Sequence, residues 1–532
     1  MSSEAPFARF KTKAYIGTLD SVLLQLLTSH AGEELAPLSV LGFPRFFLQE
    51  TYQQLCERHN LRESNIEAFF QSYEKDRELS IAEPIRKVLR YIFASQFAPS
   101  EQLRDFELVL SAFRDHASMT KPALKGKYEA EITYLEYFLT PPWAMTRYTT
   151  AYIRAALQPE LRATLRRLIR AFDDFKQDAL FATKNDSLVH EALRCTINPW
   201  RTAPADRTKR ITAVLDPRST EPLHLLLSEE LLQALLKKRD IEEVLSVAKQ
   251  LEKIASKARL LDWQGLAIRY QARAYLHKDE YRLCEKALER ARDLLKEQDS
   301  KNRAGEIKLA EISADLYRLI GDFDRASETI DICIEYYSQY ELLYQYANAV
   351  FKKAKILSEQ PDSDNEAVVK LLQLVEPIFA KMIDPTGRGN ILNMHASCLL
   401  DRDQFDDGEV QRLLVEAEVE HERGHSESGL INALILRAKR EWRHSTDLDK
   451  GIALAAEAIQ RIEKRGGSDL YGLFNAREVK ARLLRKGMRY DELRQEIRKL
   501  KLLNQRLSKG ASTISGSFES RARAIEQLQA AP

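Results

Sequence analysis

Apolar side chains recur at helical spacing through most of the chain, and between about residues 228 and 507 whole helical stretches recur at a fixed interval. The stretches A-R-A-Y-L-H-K-D-E-Y-R-L-C-E-K-A-L (272–288) and A-D-L-Y-R-L-I-G-D-F-D-R-A-S-E-T-I (314–330) show the unit. Each reads small residue, Tyr, polar turn, aromatic, small residue, with the aromatics Tyr281 and Phe323 separated by 42 positions. Phe405, Leu448 and Tyr490 continue the series, Ile241 precedes it, and the missing member centres on Asn365 behind Pro361-Asp362-Ser363-Asp364. Spacings of about 40–43 residues lie in the range of helical solenoids, so the pattern predicts about seven stacked helical hairpins.

Within a unit, Ala272, Ala314, Ala396 and Ala481 leave room on the first helix for the second to approach. Tyr275, Tyr317, Leu399 and Leu484 sit three positions later on the same face and fill the hairpin core. Gly321-Asp322 supplies a turn, with Gly free to take positive φ and Asp placed to cap the next helix. Cys284, Ala326, Gly408 and Gly451 repeat the small-residue device on the second helix.

Upstream the helical pattern continues without a repeat phase. Residues 20–27, 46–59, 81–93, 102–116 and 127–139 read as helices, Thr140-Pro141-Pro142-Trp143 as a break, and 159–181 as a long helix. The chain thus divides into an all-helical N-terminal domain over 1–195, a Pro-rich basic linker or junction over 196–227, a solenoid over 228–507, and a polar spacer with a short terminal helix over 508–532. Pro199, Pro204, Pro217 and Pro222 punctuate the second segment, as either a mobile linker or an ordered loop. The last helix either caps the final repeat, whose apolar end would otherwise be exposed, or is disordered. The fold class is all-α.

The repeat resembles the tetratricopeptide repeat, in the long-helix variety of MalT-like regulators, over roughly residues 228–507. Ala314, Tyr317, Gly321, Phe323 and Ala326 form the clearest unit, whereas Ile241 and Leu448 replace the aromatic and no first-helix Trp is present. The resemblance implies a non-enzymatic scaffold or adaptor that binds a partner protein or peptide, without a cofactor.

Composition narrows the setting. With 81 basic and 79 acidic residues the net charge is +2, which excludes a whole-chain nucleic-acid field but not a local basic patch. Five scattered cysteines without a CxxC pair read as buried free thiols of a reducing compartment. The absence of a long apolar run or signal pattern leads to an expected cytoplasmic location and no membrane partner.

Three sets of residues are candidates for chemistry. The outward positions of the first helices are largely basic: Arg269, Arg273, His277, Lys308, Arg318, Asn393, Arg437, Arg440, Arg482, Arg485 and Lys486. On a concave surface they suit a partner of acidic character; the competing reading pairs them with Glu306, Glu311, Asp315, Glu441 and Glu478. A second set, Arg154, Arg162, Arg166, Arg167 and Arg170, concentrates positive charge on one helix stripe and supports an alternative role as a nucleic-acid-associated subunit of a multiprotein complex. Its competing reading is a solvated face paired with Glu160, Asp173 and Asp174.

The third set is His421-Glu422-Arg423-Gly424-His425, an HExxH string of the kind that binds zinc in peptidases, with Glu441 or Glu457 as a conjectural third ligand. The repeat phase places Gly424 in a turn between units, as it does Gly467, so the two histidines are expected not to share a helix face. Arg437 with His444, loosely reminiscent of helical ribonucleases, and Cys398 with His395 are expected to be ordinary repeat positions. No phosphate-binding loop, dinucleotide fingerprint, nucleophile elbow or calcium loop occurs. No metal is expected.

Overall fold

Helix follows helix from residue 83 to residue 529 in the computed structural model of the chain. It describes residues 38–532 apart from 62–69, 74–77, 82, 97–98, 120–121, 158–161, 178–180, 198–201, 298–302, 361–363, 383, 403, 445–446, 466–468, 510–515 and 531–532. The expected helix over 20–27 and the turn at Gly467 lie outside these residues. The chain forms two compact units, 1–197 and 198–532, each considered by itself.

The first unit is helical but carries a small sheet that the helical pattern did not reveal. Strand β1 (Phe47–Leu48) leads into α1 (Gln49–Arg58), and β2 (Phe70–Tyr73) and β3 (Glu78–Ile81) form a hairpin. The order is β1-β3-β2, antiparallel throughout, with Phe47 opposite Leu79 and Ser72 also opposite Leu79 from the other side. Residues 46–59 and 81–93 therefore begin as strand before they become helix. Helices α2 (Glu83–Gln96), α3 (Pro99–Met119), α4 (Pro122–Leu139), α5 (Pro141–Leu157), α6 (Arg162–Gln177) and α7 (Lys184–Ile197) follow.

The Pro141-Pro142 break is a helix start, because proline fits the first turn, where no N–H is needed. Phe43, Phe93, Phe106 and Phe138 meet edge to face at the centre of the unit. Two buried arginines tie its start to α2: Arg86 donates to the Phe43 carbonyl at 3.0 Å and Arg90 to the Gly42 carbonyl at 2.9 Å.

The second unit opens with α8 (Pro204–Thr212), where a linker or loop was expected. Pro204 and Pro222 again sit in first turns instead of interrupting helices, and Arg207, expected on a basic linker, is buried against Glu230. Among the described residues seven hairpins follow. They pair α9 (Pro222–Lys238) with α10 (Ile241–Lys257), α11 (Leu261–His277) with α12 (Tyr281–Glu297), and α13 (Arg303–Ile320) with α14 (Phe323–Gln339). The remaining pairs are α15 (Leu343–Glu359) with α16 (Asn365–Met382), α17 (Pro385–Leu400) with α18 (Asp407–Arg423), α19 (Glu427–His444) with α20 (Leu448–Lys464), and α21 (Leu470–Lys486) with α22 (Tyr490–Lys509). The unit is a repeat of stacked helical hairpins, and the chain is all-α in class.

Second helices begin at Ile241, Tyr281, Phe323, Asn365, Leu448 and Tyr490, the phase marks of the sequence; only Phe405 falls short, two residues before its helix. The small residues Ala272, Cys284, Ala314, Ala326, Ala396 and Ala481 are buried where hairpin helices cross. Gly408 is different: its N–H is held by the Asp406 carboxylate at 2.9 Å, so it serves the helix cap and not a close approach. Gly321 takes φ 81°, and Asp322 caps α14 through the Arg325 N–H. The same left-handed turn residue recurs at Arg239, Asp279, Glu341, His425 and Met488.

First helices of successive hairpins also touch one another, so they form the inner layer of the stack. The stack winds back on itself. Arg239 after the first helix pairs with Asp469 before the last hairpin at 3.4 Å, and Asp279 bonds the Leu470 N–H at 3.2 Å. Helix α23 (Gly516–Gln529) packs on α21 and α22 through Ile525 and Leu528, as expected of a cap, and also touches α13.

Candidate functional site

The inner helices of the first four hairpins, with the start of α21, line an open cavity of 780 Å³ in the bore of this winding. Each helix contributes one face. Arg269, Tyr270, Arg273 and His277 come from α11, Lys308, Glu311, Asp315 and Arg318 from α13, and Tyr344, Asn348, Lys352 and Lys355 from α15. The spacing of three, four and seven residues is what places them on one stripe. Glu229 and Lys237 from α9, and Asp469 and Tyr471 at the α21 end, complete the charged and aromatic lining.

Five of the basic positions expected to face a partner are thus brought together: Arg269, Arg273, His277, Lys308 and Arg318. The carboxylates among them are engaged. Glu229 lies 3.8 Å from Arg269, and Glu311 lies 3.8 Å from Arg273 and 3.7 Å from Lys352 while accepting from the Tyr337 hydroxyl. Asp315 holds Lys352 at 2.7 Å; burial opposes its charge, but Lys352 and Arg318 beside it keep its carboxyl below the usual range. Arg318 is not an outward position. It is 6% exposed and clamped by both oxygens of Glu359, at 2.8 and 2.7 Å, while its Nε is buried without a hydrogen-bond partner.

Cations outnumber carboxylates in this lining, eight to five. Among the described residues, the ammonium groups of Lys237, Lys308 and Lys355 have neither an ion pair nor a hydrogen bond. All three have lowered pKa values: Lys237 and Lys308, exposed as whole residues, chiefly through partial desolvation by the surrounding walls, and Lys355 chiefly through the like charge of Arg318. His277 is pushed down to about 4 by burial and by Arg239 and Arg273, which leaves it neutral at pH 7.

The other expected positions are elsewhere and already partnered. Asn393, 5% exposed, donates to the Gly429 carbonyl at 3.1 Å and meets His421 Nε2 at 3.0 Å, so it is a core residue and not a surface one. Arg437 pairs with Glu418 at 2.7 Å and Arg440 with both oxygens of Asp407 at 2.6 and 2.5 Å. Arg482 lies over Trp442 and pairs with Glu478 at 2.6 Å. Arg485 donates to the Gln527 carbonyl, and Lys486 to the Trp442 carbonyl. Each of these side chains has a partner within the chain; of the carboxylates expected to pair, Glu441 and Glu478 are among them.

Sequence reasoning missed Lys237, Lys352, Lys355, Tyr344 and Asn348. The face 344–348–352–355 was available as a helical stripe, but α15 belongs to the hairpin whose phase mark is hidden by the 361–364 turn.

The HExxH string spans a helix end. His421 lies in the last turn of α18, which stops at Arg423; His425 is in the following turn with φ 51°, and α19 starts at Glu427. The histidines do not share a face. His421 is fully buried in a cradle of glycines: a Cβ on Gly429 would come within 2.1 Å of its Nδ1, and one on Gly389 within 2.7 Å of its Cε1. Glu441 is engaged by Lys450 at 3.0 Å, and Glu457 by Arg461 at 2.7 Å. Among the described residues no group of three or more His, Cys, Asp or Glu side chains is placed to hold a metal.

In the first unit, Arg166 and Arg170 on α6 and Arg154 at the end of α5 are exposed, with Arg167 half-buried. Arg162 opens α6, and its side chain lies outside the described residues. Asp173, one of their expected partners, is instead engaged by His190 at 3.1 Å and Arg194 at 3.0 Å. Among the described residues the four arginines 154, 166, 167 and 170 have no carboxylate partner.

No family model matches the chain, and no curated protein matches it. Among solved structures, the chain is similar to a Rap protein complexed with Competence and Sporulation Factor. The TM-score is 0.48 and the identity 11%, over 72% of this chain and 100% of that one. No described helix is long and apolar enough to cross a membrane, and all five cysteines are free and buried.

Proposed function

We propose that the protein is a non-enzymatic scaffold whose solenoid holds a segment of a partner protein or peptide of acidic character in its bore. The excess of cations over carboxylates in a cavity walled by four inner helices carries this reading. Unpaired like charges held close together raise the energy of the free protein, and an anionic partner relieves that repulsion. Four tyrosines in the same lining add broad, rigid contact surface with polar tips. The long-helix MalT-like variety and a cytoplasmic setting belong to the same proposal. The test is capture from the native host with the intact protein and with a Lys308→Glu, Lys355→Glu variant whose thermal melt matches it. A partner retained by the first and lost by the second supports the bore as the seat; equal retention by both removes it.

A second reading has its own observation, the unpartnered arginines of α5 and α6. Such a stripe fits a nucleic-acid backbone, with binding that weakens steeply as salt rises. Electrophoretic mobility shifts with duplex DNA and RNA at two salt concentrations test it. Retardation abolished by Arg166→Glu with Arg170→Glu supports the reading, and retardation unchanged by the pair, or none at all, ends it.

A further inference from the structure

The positive charge in the bore is not spread evenly. Arg269 and Lys308 form one group at the α11–α13 side, where Lys308 is under the like charge of Arg269. Arg318 and Lys355 form a second, where Lys355 faces Arg318 with no ion pair of its own among the described residues. Between them the lining is neutralised, since Glu311 and Asp315 hold Arg273, Lys352 and the Tyr337 hydroxyl. The bore is cationic at two stations and balanced in the middle.

Lys308 and Arg318 mark these stations on one helix, ten residues apart. At a rise of about 1.5 Å per residue they are roughly 15 Å apart along α13. An extended peptide advances about 3.3–3.6 Å per residue, so two of its side chains reach that separation when about four residues apart. The second station also holds a buried donor without an acceptor, the Nε of Arg318, in a guanidinium already fixed by Glu359.

We infer that the bore recognises an extended peptide segment carrying two oxyanion side chains about four residues apart, one seated at Arg269–Lys308 and the other at Arg318–Lys355. This rests on the reading of the bore as the partner seat and adds the motif the partner carries. The oxyanions are carboxylates or phosphates; both have the charge and acceptor geometry that arginine and lysine bind. The residues between them are uncharged, because the middle of the lining has no free charge of either sign to meet them.

The experiment uses the full-length protein and fluorescein-labelled synthetic peptides of roughly ten residues on a Gly/Ser/Ala host. Two glutamates, or two phosphoserines, are placed two, four or eight residues apart, with single-anion controls. Fluorescence anisotropy is expected to give the four-residue spacing about tenfold tighter binding than the other spacings or a single anion, the size of one added charge-assisted hydrogen bond. Lys308→Ala and Lys355→Ala, which remove side chains without partners and so leave the fold intact, are each expected to reduce the four-residue peptide to single-anion affinity. An optimum in either the glutamate or the phosphoserine series upholds the inference and identifies the oxyanion. Affinity independent of spacing in both series, or a four-residue optimum that survives Lys355→Ala, overturns it. If the host partner is still lost from the Lys308→Glu, Lys355→Glu variant, only the motif fails; if its capture is indifferent to that variant, the bore reading fails with it.

Discussion

Asp279 accepts a hydrogen bond from the Leu470 N–H at 3.2 Å, joining the turn of the second hairpin to the first residue of α21, 191 positions away. The carboxylate thereby caps the start of a helix from another hairpin and, with Arg239–Asp469, closes the winding around the bore. Asp279 is 9% exposed and also accepts from the Tyr281 hydroxyl at 3.0 Å. Burial pushes its carboxyl up to about 7; Asp469 adds to the rise, while the Tyr281 hydroxyl, the Leu470 N–H and Arg239 oppose it.

A carboxyl with a raised folded pKa binds its proton more tightly in the native state than in the unfolded one. Between the ordinary value of 3.8 and about 7, this residue therefore subtracts stability as pH rises, and its effect levels off above that window. The span corresponds to on the order of 2–4 kcal/mol. Asp279→Asn keeps an oxygen for the Leu470 N–H and removes the titration. Melting temperatures from pH 4 to pH 8 are expected to fall less, or rise more, in the variant than in the parent. Parallel profiles would show that the carboxyl does not titrate in this window.

The buried histidines act in the opposite direction. His421 and His277 are each lowered to about 4, His421 by burial, so between pH 6.5 and 4 the unfolded chain takes up protons that the native chain refuses. Their contribution is present above pH 6.5 and lost as pH falls toward 4. His421→Gln is expected to flatten that part of the melting profile, though the substitution also lowers stability at pH 7. Neither the parent nor this variant is expected to retain stoichiometric zinc after dialysis, as measured by atomic emission. Zinc lost specifically on substitution would reinstate the metal reading of the HExxH string.

The cradle of His421 makes a sharper demand on Gly429. A methyl group there would lie 2.1 Å from Nδ1 and 2.4 Å from Cγ of a ring with no room to turn away, since Gly389 confines its other side. Overpacking a closed core typically costs about 1–3 kcal/mol, occasionally more. Gly429→Ala is expected at or above the upper end, read by chemical denaturation. A loss below about 0.5 kcal/mol, the scale of an ordinary surface substitution, would contradict the cradle.

The hairpins were readable because their signals are local. A polar turn, a capping Asp and a small residue at fixed offset determine where Phe323 starts a helix, whatever lies farther along the chain. Strand β1 was not readable: Phe47 and Leu48 continue the apolar pattern of the helix behind them, and only pairing with Leu79 and Glu78 makes them strand. The bore was half readable. Arg269, Arg273 and Lys308 followed from the repeat phase, but which basic faces remain unpaired depends on the return of Asp469 and Leu470 to the second hairpin, and no local pattern records that closure. Arg318 shows the limit well, since its burial follows from Glu359, 41 residues downstream.

That buried pair supports a prediction of its own. Arg318 and Glu359 are largely withdrawn from solvent and joined by two hydrogen bonds, so removing one partner strands the other. Breaking such a pair costs about 3–5 kcal/mol, whereas replacing both partners by apolar groups is often nearly neutral. Glu359→Ala is expected to destabilise by at least 2 kcal/mol in urea. Arg318→Met combined with Glu359→Leu is expected to recover most of that loss. A double variant no better than the single would mean that the pair is not a self-contained unit.

Lys355 presents the converse case, a charge whose removal should help the free protein. Its largest influence is the like charge of Arg318, and burial adds to the penalty, with Glu359, Asp315 and Asp469 offsetting part of it. Among the described residues no carboxylate pairs with it. Lys355→Met keeps the length and apolar stem while deleting the charge, and is expected to raise stability by about 0.5–2 kcal/mol, the range of a well-chosen single substitution. Added salt screens like-charge repulsion, so the melting temperature of the parent should rise more with ionic strength than that of the variant, and the two should converge. The same variant is expected to lose affinity for an acidic peptide in the bore. Gain in stability with loss of binding is what a charge retained for a ligand produces; loss of stability on removing it would make Lys355 a structural residue instead.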